Sequence, residues 1–323
     1  MNEKTKEFRQ QIVDAFIRSL TENPLTWQKE WKGLGGNPVN AINGKRYKGI
    51  NRLWLSFVAC AAGYTDSRWC TFKQITEKGW HLEKGSHATK VEYWMPYDKK
   101  SKKIVSWDDY KLAENQDDYL LVAKYYAVFN GNQIEGIPEQ KVYSNPDVQK
   151  EGFIEDTAHS MRVELLYDGG DKAFYRPSTD SVHLPLPETF FSQYAYRATA
   201  FHELAHSTGH SSRLDRSQQS YAYEELVAEI SSCFMATSIG CEMSEEHLEN
   251  HRAYVQGWAN EIKANPEVLM KAVKDAEAAS DYLELHAGLT KEVEKENAIT
   301  APEAKVQYET KNKKRTSKKT MTR

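Results

Sequence analysis

The sequence predicts an α+β protein of two domains, the first mixing helices with strands and the second mainly helical with a small sheet. Its 323 residues are 40% hydrophobic, enough apolar material to bury a core in each half. Seven of the eight tryptophans fall within the first 107 residues, and only Trp258 lies later. Charge shifts at the same place: residues 1–150 hold 23 Lys and Arg against 18 Asp and Glu, while residues 151–310 hold 13 against 28. These shifts set the domains at 1–140 and 150–288. A polar segment at 289–323, with seven basic residues and no acid over 311–323, is expected to be a disordered tail.

Phe8, Ile12, Phe16 and Leu20 recur every four residues, with Val13 and Ile17 beside them, so residues 4–20 form an amphipathic helix. Glycines and asparagines then punctuate a loop, and the apolar stretch 50–62 suits a second, buried helix. Short runs at 68–72, 90–95 and 125–129 read as strands, and the charge-dense stretch 98–118 as a long hairpin or loop. Beyond the Ser144-Asn145-Pro146 turn, strands are expected around 163–167 and 180–184. Helices follow at 193–208, 221–239, 245–264 and 266–285, with Gly209 and Gly240 as stops.

No run of 18 apolar residues occurs, and residues 1–16 alternate charge with apolar side chains, so neither a membrane span nor a secretory leader is expected. Cys60, Cys70, Cys233 and Cys241 form no CxxC pair. They read as reduced thiols, which places the protein in the cytoplasm.

His202-Glu203-Leu204-Ala205-His206 is an HExxH pentapeptide inside a predicted helix. Four residues carry a helix through roughly 400°, so both imidazoles point the same way about one turn apart and can share one Zn²⁺. Glu203 then reaches the attacking water as general base without being a ligand. The plain alternative is two surface histidines on a helix. A catalytic site needs a third protein ligand, and the metzincin spacing would put a histidine where this chain has Ser212. The next predicted helix offers Glu224-Glu225-Leu226-Val227-Ala228-Glu229, as in gluzincins, where a glutamate on a following helix closes the site. Glu225 as ligand and Glu229 as support for a ligand histidine is preferred to the reverse. A solvated acidic face is the alternative, but the apolar neighbours of these carboxylates argue for a buried cation. Tyr221 and Tyr223 could stabilise an oxyanion, although packing is the commoner use of such residues. His210 and Arg213 read as capping and loop contacts.

In the first domain aromatics and cations interleave. Trp27, Lys45, Arg46, Tyr47, Lys48, Asn51, Trp69 and Lys73 are the candidates for contact with single-stranded nucleic acid, which binds by stacking on rings and by phosphate neutralisation. The alternative is an aromatic core under a basic surface.

The ordered motifs Asn37-Pro38-Val39-Asn40, residues 44–51, Trp69-Cys70-Thr71-Phe72-Lys73-Gln74, Lys84-Gly85 and residues 128–136 resemble the N-terminal domain of ArdC-type antirestriction proteins, a domain similar to one in TraC-type primases. Residues 173–177 with Asp180, 202–210, 213–216 and 221–229 resemble the zincin-like metallopeptidase domain that follows it. The resemblance spans about residues 5–288. It implies an N-terminal single-stranded DNA-binding domain, a metallopeptidase-like domain, and protection of incoming conjugative DNA from host restriction. It also implies His202 and His206 as metal ligands, Glu203 as the catalytic glutamate and the Glu225 segment as the source of the third ligand. The expected cofactor is one divalent ion, Zn²⁺, with Mn²⁺ or another divalent ion as alternatives. The expected partners are single-stranded DNA and a restriction-system or other DNA-bound protein. Two rivals stand beside this reading: a DNA-dependent protease acting on DNA-bound proteins, and a non-catalytic DNA-binding protein whose metal is structural.

Overall fold

A computed structural model describes residues 3–22, 36–140, 148, 150–239 and 252–290. The N-terminal domain runs α1 (Glu3–Glu22), β1 (Val39–Asn40), α2 (Ile50–Ala62), β2 (Arg68–Thr71), α3 (Phe72–Glu77), β3 (His81–Leu82), β4 (Thr89–Asp98), β5 (Lys103–Ile104), α4 (Trp107–Leu112), β6 (Tyr119–Asn130) and β7 (Ile134–Glu135). The C-terminal domain follows with α5 (Phe153–Met161), β8 (Glu164–Leu166), β9 (Phe174–Arg176), β10 (Ser181–His183), α6 (Gln193–Thr208), α7 (Tyr221–Ile239), α8 (Arg252–Ala264) and α9 (Glu267–His286). The architecture is α+β, as the sequence predicts.

Five strands form the first sheet in the order β1-β2-β6-β4-β5. Its longest ladder is antiparallel, from Thr89 opposite Val128 to Asp98 opposite Tyr119. The expected loop at 98–118 holds β5 and α4, the latter opened by a reciprocal cap between Ser106 and Asp109. In the second domain β10 lies between parallel β8 and antiparallel β9, which leaves β9 at an edge of that sheet. The small strand β9 and the helices α3 and α5 are absent from the sequence expectations. For the expected helix at 245–264 the described part begins at Arg252. Gly240 and the tail beyond Thr290 lie outside the described residues.

Helix α2 stops where Gly63 takes the left-handed conformation (φ 69°) and returns its N–H to the carbonyls of Ala59 and Cys60. Its apolar side joins the two domains. Val13, Phe16 and Ile17 of α1 and Leu53, Leu55 and Phe57 of α2 are buried in one cluster with Leu226, Ile230 and Phe234 of α7, Trp258 of α8 and Val273 of α9. Composition locates apolar residues but not their partners: each half buries a cluster of its own, Cys70, Ile75 and Ile134 in the first, and helices from both halves also share one. A second cluster belongs to the C-terminal domain alone, packing Phe153 and Ile154 against Val182, Phe201 and Leu204. Each such large side chain contributes about 1.5–3 kcal/mol on burial.

Cations of the first domain are also drawn into the shared interface. Arg46 forms a forked pair with Glu284 on α9 (2.6 and 2.7 Å), and the fully buried Arg52 reaches Asn37, the Phe234 carbonyl and Ser280. Among the described residues no helix is long and apolar enough to cross a membrane.

Candidate metal centre

Helix α6 begins at Ser192, whose hydroxyl accepts the Ala195 N–H (3.1 Å), and carries HExxH along its buried side. Its last turn meets the first turn of α7, which runs back along it. The two helices bring together His202, His206 and Glu225, one ligand atom from each lying within 4.8 Å of the others. The closest approaches are 3.1 Å between the two Nε2 atoms, 3.6 Å from His202 Nε2 to Glu225 Oε2 and 3.5 Å from His206 Nε2 to Glu225 Oε1. A tetrahedral ion with bonds of 2.0–2.2 Å separates its ligand atoms by about 3.3–3.6 Å, so each approach is close to the spacing of two donors on one ion, with a different Glu225 oxygen nearest each imidazole. Two imidazoles and a carboxylate are also the donor set that zinc accepts.

A carboxylate backs each histidine on its other nitrogen. Glu229, wholly buried, places Oε2 3.3 Å from His202 Nδ1, and Glu224 places Oε1 3.9 Å from His206 Nδ1. Such partners fix the ring orientation and tautomer of a ligand histidine. Burial alone would lower the His202 pKa, but Glu225 and Glu229, with Glu203 nearby, raise it well above the ordinary value. Burial would conversely raise Glu225, and the two histidines pull it far below the carboxylate range instead. The cluster thus favours positive charge at its centre.

Arg216 and Asp180, which have no role in the sequence reading, hold the loop between the helices together with Arg213. Arg216 donates to both oxygens of Glu224 (2.9 and 2.6 Å), to the Ala205 carbonyl (3.0 Å) and to Thr208 Oγ1 (3.1 Å). A Cβ at Gly209 would crowd this pair, standing 2.9 Å from Glu224 Oε1 and 3.2 Å from the His206 carbonyl. Asp180, at φ 51° in the turn before β10, accepts the Arg213 guanidinium and the Tyr175 hydroxyl (2.8 Å), tying the sheet to this loop. Arg213 also donates to the Ser207 carbonyl (2.7 Å), and His210 meets Ser212 (2.8 Å), which makes both loop contacts. Glu224 was visible in the acidic segment, but its role depends on a loop path that spacing does not reveal.

A cleft of about 1430 Å³ opens over the cluster. Glu203, His202, His206 and Glu225 line one side, and Phe174 and Tyr175 of β9 another. Tyr221 also lines it and is exposed, whereas Tyr223 is buried and donates to Asp275 (2.7 Å). Of the two tyrosines only Tyr221 lines the cleft.

The candidate DNA-contact residues do not gather on one surface. Trp69 has 0% exposure, and a ring without an exposed face cannot stack on a base, so it is corrected to a core residue. Tyr47 packs partly buried against the shared core, and Asn51 bonds the backbone of Glu92 in both directions (2.6 and 3.0 Å). Arg46 is taken up by Glu284 and Lys48 by Asp281 (2.8 Å). Lys45 and Lys73 are exposed, Lys73 lying 3.6 Å from Glu77. Trp27 lies outside the described residues.

Two family models match the chain: the N-terminal domain of anti-restriction factor ArdC over residues 6–129, and a zincin-like metallopeptidase over residues 149–275. A DNA primase TraC of Escherichia coli is 35% identical over 301 residues, covering 88% of this chain but 27% of the primase; in a second TraC the share is 20%. The chain therefore spans about a quarter or less of these relatives. The metal-free crystal structure of antirestriction protein ArdC from plasmid R388 superposes with a TM-score of 0.69 at 29% identity, covering 87% of this chain and 97% of that one. Its Mn(II)-bound form gives 0.67 at 31% identity, covering 86% and 97%. With both domains matched in order and nearly the whole of the R388 protein covered, the chain belongs to the ArdC family of antirestriction proteins.

Proposed function

We propose that the N-terminal domain binds single-stranded DNA and that the zincin-like domain is a peptidase holding one divalent ion between His202, His206 and Glu225. In this reading the protein protects incoming DNA of a conjugative or mobile element from host restriction in the bacterial cytoplasm. The observation that carries the peptidase half is the convergence of His202, His206 and Glu225, one ligand atom from each within 4.8 Å of the others, on the wall of the cleft that Glu203 also lines. The imidazole donors favour zinc, and the Mn(II)-bound form of the R388 relative keeps manganese as the alternative.

Glu229 and Glu224 orient the two histidines, and Glu225 closes the donor set from α7. When bound, a divalent ion there polarises a peptide carbonyl and makes a water acidic enough to attack it. Glu203, 8% exposed on the cleft wall, takes the proton from that water and delivers it to the departing amine. The edge strand β9 offers backbone groups along which an extended peptide can lie.

Glu203→Gln tests this directly, because it removes the base and keeps every proposed ligand. Metal content should be unchanged while peptide cleavage and protection of transferred DNA are lost. Full protection by this variant would leave a DNA-binding shield whose metal is structural. The shared core favours one further version, cleavage of proteins bound to DNA, because it holds the two domains together. Single-stranded DNA should then stimulate cleavage, and indifference to DNA would exclude that version.

A further inference from the structure

Exposed apolar side chains concentrate on the β4–β6 ribbon. Tyr93 is 50% exposed, Leu120 52% and Tyr126 41%. The register opposes Tyr93 to Lys124 and Tyr97 to Leu120, so these side chains share one face with Tyr126, whose ring lies 6.3 Å from that of Tyr93 at 69°. The only carboxylates of the two strands, Glu92 and Asp98, fall on the opposite face by the same alternation. That opposite face is occupied: Arg9 of α1 pairs with Glu92 (2.8 Å) and Phe8 packs edge-on against Tyr125. At its Thr89 end the Tyr93 face is covered, Val91 and Val128 being buried, and the rest presents two exposed rings and an exposed lysine with no acidic side chain from either strand; Lys124 makes no ion pair among the described residues.

We propose that this face, centred on Tyr93, Lys124 and Tyr126, is where single-stranded DNA docks, with bases stacked on the two rings and a phosphate on Lys124. The proposal rests on the reading of the N-terminal domain as a DNA-binding domain and replaces the residues that the sequence pattern suggested. Rings standing on a sheet stack bases whatever their identity, and a lysine free of carboxylates keeps its charge for phosphate. Arg46 and Lys48 have no such freedom, since α9 carboxylates already hold them.

The test is fluorescence anisotropy of labelled oligo(dT) with the full chain, titrated at several salt concentrations. Tyr93→Ala and Tyr126→Ala should each weaken binding about 5- to 150-fold, the range that one lost stacking contact produces. The Tyr93→Phe/Tyr126→Phe variant keeps both rings and should bind as wild type. Lys124→Ala should reduce the slope of log affinity against log salt by about 0.7, the contribution of one phosphate on a single strand. All these positions are exposed, and circular dichroism melting should show unchanged folding. Wild-type binding that survives both alanine substitutions overturns this placement and leaves the DNA-binding reading standing. Absence of wild-type binding overturns both. A wild-type dimer made monomeric by these substitutions, with DNA binding unchanged, would assign the face to a second copy of the chain and overturn the proposal.

Discussion

Replacing Arg52 by Met should cost about 3 kcal/mol and keep unfolding a single transition. The guanidinium is wholly buried at the junction of α2, α7 and α9. It donates to Asn37 Oδ1 (3.0 and 2.7 Å), the Phe234 carbonyl (2.9 Å), Ser238 Oγ (3.2 Å) and Ser280 Oγ (3.3 Å), with Glu277 and Glu284 each 3.5 Å away. It also lies 4.1 Å from the centre of the Phe234 ring. Methionine retains much of the stem's volume but leaves two carboxylates and a carbonyl without this cation. Breaking a buried ion pair costs about 3–5 kcal/mol. Arg46 still covers Glu284 and the Gly49 N–H still donates to Glu277 (3.0 Å), which places the loss at the lower end. Urea unfolding followed by tryptophan fluorescence measures it as a lower midpoint at unchanged slope. The Arg52→Met/Glu284→Gln double variant should show a coupling of about 0.5–3 kcal/mol. A loss below about 1 kcal/mol would refute the argument that the network is paired and desolvated. Two separate unfolding transitions in the wild type would refute the shared core.

The same network predicts an acid limb in stability. Burial works to raise the Glu284 carboxyl, but the Arg46 guanidinium, with Arg52 beside it, holds it below its ordinary value of 4.5. A depressed folded-state pKa contributes stability that is complete above the unfolded value and lost as pH falls from there toward the folded one. Glu284→Gln should flatten that part of the stability-against-pH curve, and an unchanged acid limb would assign it to other groups. Trp69→Ala should cost about 3–5 kcal/mol as a core truncation, and any DNA binding should fall only in proportion to the unfolded fraction. A stable variant that has lost DNA binding would place the ring at the surface after all.

The sequence made the site-bearing helices legible because their signals are local. The apolar run Ile50–Ala62 ends at Gly63, and α6 and α7 coincide with the segments 193–208 and 221–239 that the sequence marks off with Gly209 and Gly240. The spacing of His202 and His206 needs only a helix to become a pair. Glu225 and Glu229, one turn apart, face two different nitrogens of the site for the same reason. Helix α3 has a readable signal in Thr71-Phe72-Lys73-Gln74, a reciprocal cap whose two bonds form, where the β-rich run 68–72 expected as a strand ends. Helix α5 starts at Gly152 with no side-chain cap, and β9 is three residues long, so neither offers a strong pattern. Trp69 is buried, and Arg46 and Lys48 are paired, for a non-local reason. Interleaved rings and cations look alike whether buried or exposed, and the partners of Arg46 and Lys48 stand more than 230 residues downstream.

The most direct measurement is the metal content of the wild-type chain and of the Glu225→Ala and Glu229→Ala variants, purified without chelators. The structure brings Glu225 to the imidazole nitrogens that face each other and Glu229 to the outer nitrogen of His202. The account therefore predicts about one divalent ion per wild-type chain and none in Glu225→Ala. Glu229→Ala should retain the ion with affinity reduced roughly 10- to 100-fold, as for loss of a group that orients a ligand. A metal-free wild type, or an ion lost with Glu229 and kept without Glu225, would contradict it.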